Sequence, residues 1–116
     1  MEQFEKPGFE SVLVNCYTSG TTGMPKGVLL THMNFLSAFS TTSRFGIDLT
    51  NQDVEISYLP MAHAFELIVN MKVLFSGAAS GYYSGNLLKL TEDMAILKPT
   101  FFPTVPRLLS KLYDGF

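Results

Sequence analysis

The sequence predicts an α/β fold: a mostly parallel sheet with packed helices, entered through an initial β-hairpin. Three observations carry that prediction. Apolar, β-branched segments flank a Gly/Ser/Thr-rich stretch near the start, Val12-Leu13-Val14 before it and Val28-Leu29-Leu30 after it. That is how two strands joined by a loop read. Beyond residue 31 helical and strand patterns alternate, which favours parallel strands with helices laid on them. The chain has 116 residues, enough for one small domain, and no internal repeat, low-complexity run or linker divides it.

Each element has a local cause. Residues 1–10 are polar around Pro7-Gly8 and read as a leading loop. Residues 11–17 and 27–30 read as the two hairpin strands. Thr31 is placed to cap a helix running to about Phe45, with Phe35, Ala38, Phe39 and Phe45 near a helical period. Residues 46–54 form a polar loop in which Asp48 and Asp53 are expected to be solvated. Residues 54–59 read as a short strand stopped by Pro60. Residues 62–76 read as a helix apolar nearly all round, hence buried on several sides. Gly77 to Gly81 break it, and Tyr82-Tyr83 reads as a brief strand. Leu87, Leu90, Met94 and Leu97 share a helix face. Residues 100–105 read as a strand in which Pro103 points to an edge or an end. Pro106 suits the first turn of a last helix over 106–113.

Composition narrows the function classes. Hydrophobic residues make up 47% and charged residues only 16%, with a mean hydropathy of +0.21. Small domains normally cover their surface with charge, so several apolar faces are expected to pack against further chain. The net charge is −2 and the eight Lys and Arg are scattered, which argues against nucleic acid. The single Cys16 allows no internal disulfide and fits a reducing compartment. It reads as a small strand residue rather than a nucleophile. The start lacks a basic region and an apolar run, so no signal peptide is expected. No apolar window is long enough to span a membrane.

The most informative segment is Tyr17-Thr18-Ser19-Gly20-Thr21-Thr22-Gly23-Met24-Pro25-Lys26-Gly27. It holds four Ser/Thr hydroxyls, three glycines and one lysine in eleven residues. Glycines let the backbone approach a ligand and turn its N–H groups inward. Hydroxyls donate to phosphoryl oxygens, and lysine adds a mobile positive charge. Together they describe a loop for a polyphosphate. A slack Ser/Thr/Gly connector has similar composition, but it needs no proline stiffening the chain just before one lysine. The widespread G-x-x-x-x-G-K-[ST] loop is not present: Pro25 and Gly27 stand where it requires Gly and Ser or Thr.

A second cluster is Tyr58-Leu59-Pro60-Met61-Ala62-His63-Ala64-Phe65-Glu66. In parallel α/β sheets ligands sit beyond the carboxyl ends of strands, and helix N-termini favour anions. His63 therefore stands where a carboxylate or phosphate could meet it, although a histidine packed at a helix start reads the same way. A third cluster, Lys98-Pro99-Thr100 through Val105-Pro106-Arg107-Leu108-Leu109, reads by itself as a structural strand–helix unit. His32 reads as capping or packing.

Residues 17–27 resemble the phosphate-loop signature of adenylate-forming enzymes, which include acyl-CoA synthetases, luciferases and peptide-synthetase adenylation domains. Asn15 departs from the apolar residue usual there. The Leu59-Pro60…His63…Phe65 run is similar to a second motif of that family. The Lys98-Pro99-Thr100…Val105-Pro106-Arg107-Leu108-Leu109 stretch, followed by Tyr113-Asp114, looks like the long-chain fatty acid–CoA ligase branch. So does Ala62-His63-Ala64-Phe65-Glu66, with Ala64 smaller than usual. The resemblance covers nearly all of 11–116 and only a small part of a full-length member.

The resemblance implies that residues 1–116 are a single partial domain from the large N-terminal part of such an enzyme. A carboxylate attacks the α-phosphorus of ATP, pyrophosphate leaves with Mg²⁺, and the acyl-AMP passes its acyl group to the CoA thiol. Thr18, Ser19, Gly20, Thr21, Thr22, Gly23 and Lys26 are expected to grip the departing phosphates, with Thr21 also at the metal. His63 is expected near the reacting carboxylate and α-phosphate, and Phe65 as a wall of the substrate pocket. The implied substrates are ATP, a fatty acid and CoA, and the remaining partner is the rest of the parent chain. The expected location is cytoplasmic, with room for peripheral membrane association of the full-length enzyme. The family's adenine-contacting segment, metal-binding glutamate, ribose-binding aspartate and lid lysine follow the matched region, so the fragment is expected to be inactive alone. The competing readings are another adenylate-former acting on aryl or amino acids, a non-catalytic nucleotide-binding module and a structural interaction domain.

Overall fold

Strand β1 (Val12–Thr18) runs antiparallel to β2 (Lys26–Thr31), from Val12 opposite Thr31 to Thr18 opposite Lys26, with one irregularity between Val12 and Val14. The structure, a computed structural model, describes residues 5–18 and 23–114. Its chain divides into two compact units, Met1–Ile47 and Asp48–Phe116. In the first unit, β2 passes directly into α1 (His32–Arg44). Thr31 is the cap: its Oγ1 accepts the Asn34 N–H at 3.2 Å, and Asn34 Oδ1 accepts the Thr31 N–H at 3.0 Å. This reciprocal box satisfies two of the donors a helix start leaves open. His32 does not cap. It is the first helical residue, half-buried, and its backbone N–H donates to the Ser11 carbonyl. Phe35 is the residue α1 buries, while Phe45 lies exposed at the C-cap. Cys16 is half-buried in β1.

The second unit runs β3 (Val54–Ser57), α2 (Ala64–Ser76), β4 (Ala79–Tyr82), a 3-10 turn at Leu87–Lys89, α3 (Leu90–Leu97) and α4 (Pro106–Asp114). β3 and β4 are parallel neighbours, Val54 opposite Ala79 through Ser57 opposite Tyr82. The expected strand over 100–105 is reduced to one parallel bridge between Phe101 and Glu55. Pro103 explains the difference, since it offers no N–H to extend a ladder. Asp53 stays at the surface, as expected of a loop aspartate, and is tied into the fold there. Its carboxylate accepts from the Thr50 N–H (2.8 Å) and hydroxyl (2.9 Å) and from the Thr100 hydroxyl (2.8 Å). These donors hold its pKa below the usual value, the Thr50 backbone N–H foremost. Thr100 in turn accepts the Val54 N–H, so one carboxylate ties the start of β3 to residue 100.

Strand β3 is buried throughout its last three residues, and its two faces differ in chemistry. Ile56 shares a core with Tyr58, Leu90 and Leu108, filled out by Met94, Leu97 and Leu112. Gly81, opposite Ile56, gives α3 its close approach: a Cβ there would lie 2.4 Å from Leu97 Cδ2. The other face carries Glu55 and Ser57, bonded to Ser80 of β4 and Glu66 of α2. A strand reading polar–apolar–polar is thus covered on both sides, the polar side by polar groups.

Helix α2 consequently departs from the expectation of a helix buried on apolar sides. It buries Glu66, Val69, Asn70, Lys72 and Val73, whereas Phe65, Leu74 and Phe75 are exposed. The sheet face it meets presents carboxyl and hydroxyl groups, so its polar residues turn inward and its aromatic ones outward.

Glu55 is 1% exposed; its Oε2 accepts from the Ser80 hydroxyl at 2.9 Å, while Oε1 has no partner among the described residues. Burial foremost, and the nearby Glu66 in smaller part, push its carboxyl above the usual glutamate value, against the Ser80 hydrogen bond. Above the ordinary pKa the unfolded chain has released this proton while the folded chain retains it. Stability therefore falls as pH rises from the ordinary value to the raised one, and levels off beyond. Glu55→Gln is expected to remove that fall, making the variant more stable than wild type at neutral pH, with the gain shrinking toward pH 4. Urea unfolding at several pH values measures it; a pH-independent difference would contradict the assignment.

Candidate functional site

The described residues on either side of the glycine-rich loop, Thr18 and Gly23 to Lys26, lie at one end of the β1–β2 ladder, in the first unit. Thr18 and Lys26 are the last opposed pair. Opposed residues in an antiparallel pair project to the same side, so the hydroxyl and the ammonium share one face. The Thr18 hydroxyl also donates to the Lys26 carbonyl at 3.4 Å, and both residues are exposed. Gly23 takes a left-handed φ of 83° with open space where a Cβ would be, so backbone conformation is what calls for glycine there. At Gly27 a Cβ would lie 2.6 Å from Asn15 Oδ1, the end of an exposed side chain that can move aside. The polar Asn15, anomalous in the strand pattern, thus lies over the glycine that follows Lys26. Ser19, Gly20, Thr21 and Thr22, expected phosphate ligands with Thr21 at the metal, lie outside the described residues.

The second cluster is the turn between β3 and α2, in the second unit. The His63 N–H donates to the Pro60 carbonyl at 2.9 Å, and the His63 carbonyl accepts the Leu67 N–H at 3.1 Å. His63 is the N-cap of α2, with extended backbone and, among the described residues, no side-chain capping bond. Its ring is exposed at the helix start, where the macrodipole and open N–H groups favour an anion. Phe65, two residues on, is 47% exposed. Glu66 points inward, is fully buried, and accepts from the Ser57 hydroxyl at 2.6 Å and from Asn70 Nδ2 at 2.9 Å.

One feature of this turn is not readable from the sequence. The Tyr58 hydroxyl donates to Thr104 Oγ1 at 2.9 Å, and its ring packs on Phe102 with centroids 5.5 Å apart. Burial, its largest influence, raises the Tyr58 pKa. Beside it lies a cleft of about 400 Å³ whose walls include Tyr58, Tyr83, Leu87 and Leu108, with Arg107 and Lys111 contributing to its lining. The third sequence cluster, which alone reads as structural, therefore lies against Tyr58-Leu59-Pro60. The signal that could have pointed there is Pro106: it fixes where α4 begins, and Arg107, Leu108 and Lys111 follow at helical spacing.

Residues 2–115 match the AMP-binding enzyme family. The long-chain-fatty-acid–CoA ligase 5 of Rattus norvegicus is 46% identical over 97% of this chain, which spans 17% of that protein. The peroxisomal long chain acyl-CoA synthetase 6 of Arabidopsis thaliana is 44% identical over 98% of this chain, again with 16% of its own length covered. Among solved structures, ATP-bound MatB from Rhodopseudomonas palustris superposes with a TM-score of 0.74 at 27% identity, over 93% of this chain and 21% of that one. The chain thus spans about one sixth of the curated relatives it matches. Among the described residues no helix is long and apolar enough to cross a membrane.

Proposed function

The chain belongs to the AMP-binding enzyme family, and from that premise we propose that it is the phosphate-holding, carboxylate-facing part of a long-chain fatty acid–CoA ligase. Residues 1–116 then form one section of the enzyme's N-terminal domain. The observation that carries the reading is the hairpin mouth, where Thr18 and Lys26 share a face and Gly23 turns the backbone. A hydroxyl, an ammonium and a glycine-bent loop are donors suited to a polyphosphate. The identity to long-chain ligases and synthetases over nearly the whole chain supports the substrate class.

In this reading Thr18, Ser19, Gly20, Thr21, Thr22, Gly23 and Lys26 hold the β- and γ-phosphates of ATP. A carboxylate oxygen forms a bond to the α-phosphorus while the bond to the β-phosphate breaks, and pyrophosphate departs. Mg²⁺, when bound with the nucleotide, would supply charge neutralisation, and Thr21 would be the hydroxyl beside it. His63, exposed at the start of α2, faces the reacting carboxylate and α-phosphate, and Phe65 lines the substrate side. The apolar cleft beside Tyr58 receives the acyl chain. The CoA thiol then attacks the acyl carbonyl and AMP leaves. Peripheral membrane association and a cytoplasmic location belong to the same proposal.

The test is ATP–pyrophosphate exchange by the full-length protein carrying this segment, with a long-chain fatty acid, an aryl acid and an amino acid offered separately. Exchange driven by the fatty acid alone is expected. Exchange that prefers the aryl or amino acid would move the chain to another adenylate-forming branch, and ATP binding without exchange would make it a non-catalytic module.

A further inference from the structure

Nothing on the His63 ring fixes it in place: among the described residues it has no side-chain capping bond and is exposed. Its position follows from the backbone of residues 58–65, and that stretch is anchored at its base. Ser57 is the last residue of β3, and Glu66 is the third residue of α2. Their hydrogen bond, 2.6 Å long and buried, closes the turn that carries His63. Asn70, one helical turn on, donates from Nδ2 both to Glu66 Oε1 (2.9 Å) and to the Glu66 carbonyl (3.1 Å).

The arrangement is not a capping box. In a capping box, whose N-cap is Ser or Thr, a glutamate at the third helical position reaches back to the N-cap N–H; α2 has His63 at its N-cap. Here the His63 N–H goes to the Pro60 carbonyl instead, and Glu66 is drawn inward. The inward position leaves Glu66 Oε2 buried with no partner among the described residues. An unsatisfied buried oxygen is costly, and departures of this kind concentrate at functional sites.

We propose that the buried Ser57–Glu66 hydrogen bond positions His63, so that Ser57 and Glu66 are positioning residues for the acyl-adenylation step. The inference rests on the role given to His63 above. Ser57 and Glu66 touch no reactant. They hold the turn so that the backbone carrying the imidazole is already in place when the reacting carboxylate arrives.

The experiment is fatty-acid-dependent ATP–pyrophosphate exchange by the full-length enzyme, with folding followed by thermal unfolding. Ser57→Ala is expected to lower kcat about tenfold while the KM for ATP moves less than about twofold. Glu66→Gln keeps a carbonyl acceptor for Ser57 and is expected to stay within about threefold of wild type. On a His63→Ala background, Ser57→Ala is expected to add no further loss, because the group it positions is gone. If Ser57→Ala does not fold, Ser57→Cys, a weak donor of similar volume, gives the same readings. A wild-type kcat in the Ser57 variant, or the same loss with and without His63, would overturn the positioning role alone. A silent His63→Ala would remove the role assigned to His63, and the positioning role with it.

Discussion

Lys26→Ala in the full-length enzyme is expected to lower fatty-acid-dependent pyrophosphate exchange about 100-fold with little change in stability. Lys26 is the first residue of β2 and is exposed. Its backbone keeps its place opposite Thr18 whatever the side chain, and an exposed side chain of this kind contributes within about 0.5 kcal/mol of zero. The loss therefore falls on the ligand. A charge aimed at phosphates that separate during the reaction stabilises the transition state more than the ground state. Lys26→Arg keeps the charge but replaces a mobile point charge with a planar fork, so partial recovery is expected. Met24→Ala, at an exposed residue of the same loop, is the control. Steady-state exchange kinetics alongside thermal unfolding separate the two effects; unaltered turnover in Lys26→Ala would end the phosphate-grip reading.

Leu90→Ala is expected to destabilise the second unit by about 2–5 kcal/mol. Leu90 is fully buried against Ile56, Tyr58 and Leu108, and truncation both removes apolar contact and leaves a cavity between α3 and β3. Leu88, two residues earlier on the 3-10 turn, is 69% exposed, and Leu88→Ala is expected to change stability by less than about 0.5 kcal/mol. Urea unfolding compares them. A Leu88 variant as damaging as the Leu90 variant would show that the core is misplaced. The pair matters for function because the same core holds Tyr58 and Leu108, which line the apolar cleft.

Elements with local causes are legible along the chain. Thr31 caps α1 because its side chain and that of Asn34 satisfy each other three residues apart. Gly77 ends α2 because the C-cap needs a φ of 69°, which glycine adopts without strain. The hairpin follows from apolar runs on either side of the glycine-rich segment, and the motif residues carry the family. All of these are decided by neighbours within a few positions along the chain.

Which polar groups find distant partners, and which of them are buried, follows from packing between segments far apart in the chain. Asp53 remains a surface loop aspartate, but only the fold brings Thr100, forty-seven residues away, to its carboxylate. Glu55, Ser57 and Glu66 read as ordinary polar positions until α2 is laid on the carboxyl-bearing face of β3. The helical stripe of Leu87, Leu90, Met94 and Leu97 gave no means of ranking its members, and α3 buries Leu90 fully while Leu87 stays half-exposed. The cleft beside Tyr58 needs residues from 58–60, 83 and 105–111 to converge. Backbone conformation responds to adjacent residues, whereas burial and its effect on a carboxyl or a histidine turn depend on contacts between distant ones.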